Sequence, residues 1–348
     1  MTQNNLAAAY SDRIRGERAE NLEQAIQAYR SSLEIYRPEA FPQDSRRAAR
    51  NLGNLYSAQQ RWTEAAAAYR QALQAAEILY QSASFLDNQA AELTETRDLH
   101  RRAAYALAKV GELQAAVLTL EQGRARGLSD ALARDRADLE QLQTTALDRY
   151  ARYHQAAAQC RQLEDHQRAL STRPAAERHG LRPDDLRQQL AQAHQELQNA
   201  IAAIRQVPGY AGFLAPPDFT EIVSALPPAR SVDPDCGGAR EEKSALVYLV
   251  TTEAGSLALV VAASGNAIGN PTATFEPLWL NDLSQDSLRK LLVGTPETFG
   301  GWFGAYNQRR TNGAAWRTAI ARGTAELWDS LMAPLSQHLT ELAFGTLS

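Results

Sequence analysis

The sequence has little of several features that each mark a particular class of protein. Its 348 residues contain two cysteines, too few for a disulfide framework, and the formal net charge of −4 offers no basic excess for binding nucleic acid. The longest apolar run, residues 256–263, is too short to span a bilayer, and residues 1–6 show no secretory signal. We therefore expect a cytoplasmic protein that binds neither nucleic acid nor membrane.

Motifs for cofactors, metals and catalysis are missing as well. The sequence contains no Walker loop and no dinucleotide-binding glycine fingerprint. His154, Cys160 and His166 are six residues apart, and six residues turn a helix by about 600°, so their side chains point in three directions. Cys160 lies on an apolar helix face, and Cys236 follows aspartates that would raise the pKa of its thiol. We expect no cofactor, no metal and no catalytic residue in this chain.

Small and aromatic residues recur at a fixed spacing near the beginning of the chain. The spacing i, i+4, i+7 occurs in Ala25, Tyr29 and Ser32 and again in Ala65, Tyr69 and Ala72. Such a stripe lets a second helix approach the small residues closely while the tyrosine fills the next gap. Because the pattern returns after about 40 residues, it predicts an α-solenoid of helix pairs.

Prolines, glycines and helical periodicity divide residues 1–130 into three helix pairs. The predicted helices cover residues 1–12, 22–36, 44–60, 62–80, 88–110 and 113–126. Asp44 follows two prolines and is the predicted N-cap of the third helix.

This part of the chain resembles the tetratricopeptide repeat (TPR). Small residues stand at Gly53, Ala65 and Ala72, and aromatic residues stand at Tyr56 and Tyr69, as in the TPR consensus. The first repeat departs from it, with Ala7 where glycine is usual and six extra residues in its loop. The resemblance implies a scaffold that presents its surface to other proteins.

Residues 131–206 predict a long antiparallel helical hairpin. Apolar residues recur at steps of three and four from Leu139 to Leu163 and from Leu186 to Ile204. The intervening residues 171–184 contain two prolines and a glycine and predict the connecting loop. We expect the hairpin to pack on the last repeat.

The remainder of the chain has an α/β pattern. Residues 207–243 are rich in proline, glycine and charge and predict a linker. Ser244–Thr252 and Ser256–Ala263 are apolar, β-branched segments that predict a β-hairpin, which we expect to begin a parallel or mixed sheet. Ala314–Leu342 predicts a helix, so that residues 244–348 form a separate α/β domain.

Three segments together resemble bacterial TPR–CHAT proteins, in which a TPR array precedes a caspase-like cysteine-protease domain. They are Leu120–Leu128, Val247–Thr252 and Leu327–Leu335, and they occur in the family's order. The resemblance implies a mainly α fold, a TPR α-solenoid plus a long helical hairpin, followed by a partial α/β caspase-like domain. The family's catalytic His–Cys pair lies beyond the helix that corresponds to Ala314–Leu342, so the resemblance places it outside this chain.

One surface is a candidate for binding a partner. Arg47, Arg50 and Asn54 stand at i, i+3 and i+7 on the first helix of the second pair, which is the helix that TPR ligands usually meet. Such a cationic, amide-bearing face suits an acidic peptide or a C-terminal carboxylate. The alternative is an ordinary solvated helix face, and the oligomeric state stays open.

Three functions fit these residues. The first is a protein-interaction scaffold without a complete catalytic site. The second is a caspase-like cysteine endopeptidase whose catalytic half lies outside this sequence. The third is a pseudo-protease adaptor that pairs with a full-length relative. The same residues fit all three functions. We take the first, under which this chain is not an enzyme, as the main prediction.

Overall fold

A computed structural model gives the fold of the chain. It describes residues 2–82, 86–132, 141–172, 183–215, 219–224, 230–231, 241–242, 244–264, 272–294 and 301–342. The chain divides into two compact units. The first comprises Met1–Ala106 and Thr119–Pro217, and the second comprises Leu107–Leu118 and Asp218–Ser348. The predicted division into four domains remains a prediction.

The predicted helix pairs are present. The helices are α1 (Thr2–Ser11), α2 (Arg18–Ile35), α3 (Pro42–Ala58), α4 (Trp62–Ser82), α5 (Leu86–Lys109) and α6 (Leu113–Leu132). Glycines with positive φ lie in two of the connections, Gly16 between α1 and α2 and Gly111 between α5 and α6. The mainly helical fold class is therefore confirmed.

The start of α3 corrects one prediction. The helix begins at Pro42 with Phe41 as its N-cap, so Asp44 lies in the first turn instead of capping it. Proline suits this position because its fixed φ is already helical and its missing N–H would have had no partner there. The Asp44 carboxylate instead accepts a hydrogen bond from the Arg47 guanidinium at 2.7 Å.

The contact between α3 and α4 is close because Gly53 has no side chain. A Cβ atom on Gly53 would lie 2.6 Å from Cε1 of Tyr69, which leaves no room for it. The Tyr69 side chain is almost fully buried, and the small residues on either side of it, Ala65 and Ala72, are also buried. The stripe of small and aromatic residues in the sequence is therefore the packing surface of the second repeat.

The long helical hairpin is also present, formed by α7 (Leu147–Thr172) and α8 (Pro183–Arg205). Its own core contains Tyr153, Cys160, Leu197 and Ile201 with their apolar neighbours. Of the predicted loop, residues 173–182 lie outside the described residues.

The structure places this hairpin against α4 and the corner between α2 and α3, and its predicted packing on the last repeat remains a prediction. Ala40 and Phe41 of the corner form one apolar cluster with Leu186 and Leu190 of α8. This pairing joins positions far apart in the sequence, so helical periodicity could not predict it.

Polar contacts at the same interface fix the hairpin's position. His194 of α8 is buried, with Nδ1 2.7 Å from the carbonyl oxygen of Glu39 and Nε2 3.2 Å from Oε1 of Glu164. Gln198 of α8 donates to Gln81 of α4. Buried polar groups that are satisfied in this way select one register of packing.

The second unit contains an antiparallel sheet in the order β3–β4–β5, formed by β3 (Ala245–Thr252), β4 (Gly255–Ser264) and β5 (Thr272–Leu280). A separate pair consists of β1 (Arg230–Ser231) and β2 (Glu241–Glu242). The predicted hairpin is confirmed as β3 and β4, but the described sheet is antiparallel throughout, not parallel or mixed. Its antiparallel order follows from short connections, because parallel neighbours need a long crossover.

Helices precede and follow this sheet along the chain. They are α9 (Phe219–Ser224), α10 (Gln285–Val293), α11 (Gly301–Asn307), α12 (Gly313–Leu327) and α13 (Ala333–Glu341). Leu335 and Leu339 of α13 cover one face of the sheet at Ala258 and Val260. Within the predicted linker, α9 places Phe219 against Phe275 of β5, with ring centroids 5.5 Å apart.

The long C-terminal helix is interrupted by one π-helical turn. A π turn over Trp328–Met332 joins α12 to α13, so the predicted helix over 314–342 is continuous but not regular. Pro334 stands in the first turn of α13. Proline has no N–H and crowds the preceding turn of a regular helix, and a widened turn accommodates it.

We expect Gly53→Ala to destabilise the first unit. The added methyl group would force Tyr69 or α4 to shift, and overpacking of this kind costs about 1–3 kcal/mol, only partly offset by alanine's higher helix propensity. The free energy of unfolding in urea measures the effect. Gly212→Ala is the matched control, because no atom lies within 4 Å of its added Cβ. Equal stability of the two variants would contradict the assigned role of Gly53.

Candidate peptide-binding groove

Arg47, Arg50 and Asn54 share one face of α3, as the sequence predicts, and we call these three residues the α3 donor face. The Arg47 side chain is 49% exposed, and Arg50 and Asn54 are partly exposed. A helical turn of 3.6 residues brings positions i, i+3 and i+7 within about 60° of one another. The three side chains therefore stand in a row that a ligand can meet.

The positive charge of this row is partly neutralised at Arg47. Asp44 binds Arg47 at 2.7 Å and also accepts a hydrogen bond of 3.3 Å from Gln167 of α7. An exposed ion pair contributes little to stability, so a ligand carboxylate can compete for the guanidinium. In the part of the chain that the structure describes, Arg50 has no ion-pair partner.

Two buried tyrosines place their hydroxyl groups against asparagines of α3. Asn51 donates from Nδ2 to the Tyr29 hydroxyl at 3.3 Å, and the Tyr69 hydroxyl donates to Oδ1 of Asn54 at 2.9 Å. Burial raises the pKa of both phenols, that of Tyr69 to about 12, so both stay protonated at neutral pH. Each asparagine therefore has one atom of its side-chain amide held by the hydroxyl group of a buried tyrosine.

A cluster on α5 adjoins Tyr69. The carboxylate of Asp98 binds the guanidinium groups of Arg101 and Arg102, each at 2.5 Å. Burial would raise the pKa of Asp98, but the bonds and charges of Arg102 and Arg101 outweigh it and hold that pKa below its usual value. Arg102 also hydrogen-bonds to the Tyr69 hydroxyl.

Positive charge is in excess on α3, which carries Arg46, Arg47 and Arg50 against one acidic residue, Asp44. On α5, Arg101 and Arg102 share the carboxylate of Asp98. Sequence reasoning identified Arg47, Arg50 and Asn54 but missed Asn51 and the Asp98 cluster. The i, i+3 and i+4 spacing of Asp98, Arg101 and Arg102 was an available signal, because such spacings favour ion pairs on a helix.

Other polar residues that the sequence singled out do not form a site. Cys160 is fully buried in the hairpin core, and burial raises the pKa of its thiol to about 12. His154 packs against Tyr150, with ring centroids 4.3 Å apart, and His166 is exposed. No group of three metal-binding side chains occurs among the described residues. Cys236 lies outside them.

The conspicuous Gln-Gly-Arg segment of α6 serves helix packing. Gln122 donates to Glu77 of α4 at 2.9 Å, and Gly123 lies against the buried His100, whose Cγ would be 2.9 Å from an added Cβ. Arg124 is exposed beside Glu121, and the side chain of Arg126 lies outside the described residues.

Comparison with known proteins finds one family model that matches part of the chain. Residues 1–78 match the tetratricopeptide repeat model, over the helices that carry the α3 donor face. No curated protein and no solved structure matches the chain significantly. Among the described residues, no helix is both long and apolar enough to cross a membrane.

We expect Cys160 to be chemically inert in the folded protein. A thiol with a pKa of about 12 forms almost no thiolate at pH 8, and the thiolate is the reactive species. In a Cys236→Ser background, native protein should react with iodoacetamide at least about a hundredfold more slowly than protein in urea. Labelling followed by mass spectrometry measures the rates, and equal rates in the two states would contradict burial of the thiol.

Proposed function

We propose that the TPR-like part of this chain is a protein-interaction scaffold that binds an acidic peptide across the α3 donor face. The observation that carries the proposal is the excess of arginine on α3, within the segment that matches the TPR model. TPR repeats commonly bind protein partners, and the positive charge of this face favours a partner that is acidic.

The three side chains of the α3 donor face offer hydrogen-bond donors to a ligand. Arginine has a planar guanidinium that binds a carboxylate through two parallel hydrogen bonds. Asn54 uses its oxygen for Tyr69, and its Nδ2 has no acceptor among the described residues. A face of this kind attracts glutamate or aspartate side chains or a terminal carboxylate and repels basic peptides.

Charge reversal of the two arginines should remove this binding. We expect Arg47→Glu combined with Arg50→Glu to weaken binding of a fluorescein-labelled peptide of about ten residues, alternating glutamate and glycine, by at least about tenfold. Fluorescence anisotropy measures the dissociation constant, and higher salt should weaken binding to the wild-type protein.

The matched control changes the net charge equally at other sites. Arg124→Glu combined with Arg152→Glu alters two exposed arginines on α6 and α7, and binding should stay within about twofold of wild type. Loss of binding in both double variants would mean that net charge alone governs it, and unchanged binding in the α3 variant would remove the proposed groove.

For the second unit, we propose the N-terminal part of a caspase-like domain. The β3–β4 hairpin, the covered faces of the sheet and the long helix through Trp328 support the proposal. In a cysteine endopeptidase, the second candidate, a thiolate would lie beside a histidine. Within the described residues the cysteine is Cys160, buried in the other unit with a raised pKa, so the scaffold function is favoured for this chain.

Residues 244–348 should be cut by trypsin faster than residues 1–206. Helices α10, α11 and α12 together bury one residue, Gly323, so little apolar surface holds them in place and local unfolding requires little free energy. Limited proteolysis followed by mass spectrometry gives the order of cleavage. Equal resistance of both parts would count against a partial domain.

A further inference from the structure

We infer that Tyr69 is the residue that makes the α3 donor face select a carboxylate over a neutral amide, by fixing the orientation of the Asn54 side chain. The inference rests on the proposed function, because it concerns the ligand chemistry of the same face. Tyr69 would act through Asn54 and is therefore a positioning residue.

Three helices converge on the Tyr69 hydroxyl. The ring comes from α4 and lies over Gly53 of α3, where no Cβ keeps it away. The oxygen lies 2.9 Å from Oδ1 of Asn54 and also forms hydrogen bonds with Arg102 of α5 and with Ser57. With its ring 1% exposed, the tyrosine has no freedom to move its hydroxyl elsewhere.

The direction of the bond to Asn54 follows from the donors around that oxygen. A guanidinium only donates, so the bond with Arg102 uses a lone pair of the tyrosine oxygen. Asp98 holds this arginine in place at 2.5 Å. The Ser57 hydroxyl can donate to the same oxygen, and the tyrosine's own proton goes to Oδ1 of Asn54, which accepts it with the carbonyl half of its amide.

A fixed amide presents a single kind of group. With Oδ1 bound to Tyr69, Asn54 can offer only Nδ2 and its two hydrogens to a ligand. A free asparagine side chain can rotate by 180° and offer its oxygen instead, which would accept a bond from a glutamine or from a backbone N–H. The bond to Tyr69 thus makes Asn54, which could otherwise donate or accept, a hydrogen-bond donor toward the ligand, as Arg47 and Arg50 are.

Removing the hydroxyl while keeping the ring tests the inference. We expect Tyr69→Phe to lower the preference for the glutamate–glycine peptide over the same peptide with glutamine by about tenfold, mainly through weaker binding of the glutamate peptide. Free and amidated C-termini of each peptide separate side-chain carboxylates from the terminal one. A loss that is equal for both peptides would show a merely structural role and overturn the inference.

Tyr29→Phe is the matched control. This tyrosine stands at the equivalent position of the first repeat, but its hydroxyl accepts from Asn51 and does not touch Asn54. Its removal should leave the ratio of the two affinities within about twofold of wild type. If both tyrosine variants change the ratio alike, the effect is not specific to the Tyr69–Asn54 bond, and the inference fails.

A second experiment needs no peptide and tests the Tyr69–Asn54 bond separately from the proposed function. Aspartate at position 54 can accept the Tyr69 proton as asparagine does and gains the attraction of Arg102, so Asn54→Asp should keep or raise the urea midpoint of unfolding. In a Tyr69→Phe background the same change should lower that midpoint. An identical shift in both backgrounds would overturn the inference at the Tyr69–Asn54 bond. Failure of the wild-type protein to bind either peptide, with the two shifts differing as expected, would instead overturn the proposed function and leave the bond in place.

Discussion

The close approach of Tyr69 to Gly53 is the contact on which the rest of the repeat structure depends. It brings α4 against α3 at a distance that no side chain at position 53 would permit. The same approach carries a buried phenol across the helix pair to Asn54 and to the arginine of α5. Close packing and a buried hydrogen bond are thus produced by one side chain, because a tyrosine combines a large apolar ring with a polar tip.

Local signals in the sequence predicted most of the elements. The small and aromatic stripe predicted the repeats, and the two β-branched segments predicted β3 and β4. The predicted N-cap of α3 was wrong because Pro42, two residues before Asp44, provides a better start for the helix. Each of these outcomes depends on a few neighbouring residues, which is why sequence reasoning could reach them.

Contacts between distant elements were harder to predict. The hairpin's position depends on Phe41 meeting Leu186 and Leu190, residues nearly half the chain apart, and no periodicity specifies such a pairing. For the same reason the sequence placed Asn54 on one face with Arg47 and Arg50 but did not predict its bond to Tyr69. Which half of an amide faces a ligand is decided by the groups that neighbouring helices bring, and a single helix pattern does not contain that information.

Asp44 lies between two parts of the first unit. Its carboxylate binds Arg47 of the α3 donor face through one oxygen and Gln167 of the hairpin through the other. In the proposed complex, a ligand carboxylate that takes Arg47 from Asp44 would leave the aspartate's negative charge to Gln167 alone. If the Asp44–Gln167 bond then changes in strength, thermodynamic linkage requires that the hairpin's position and the affinity of α3 depend on each other by the same factor. One shared carboxylate is therefore the point through which the hairpin and the repeats would be coupled.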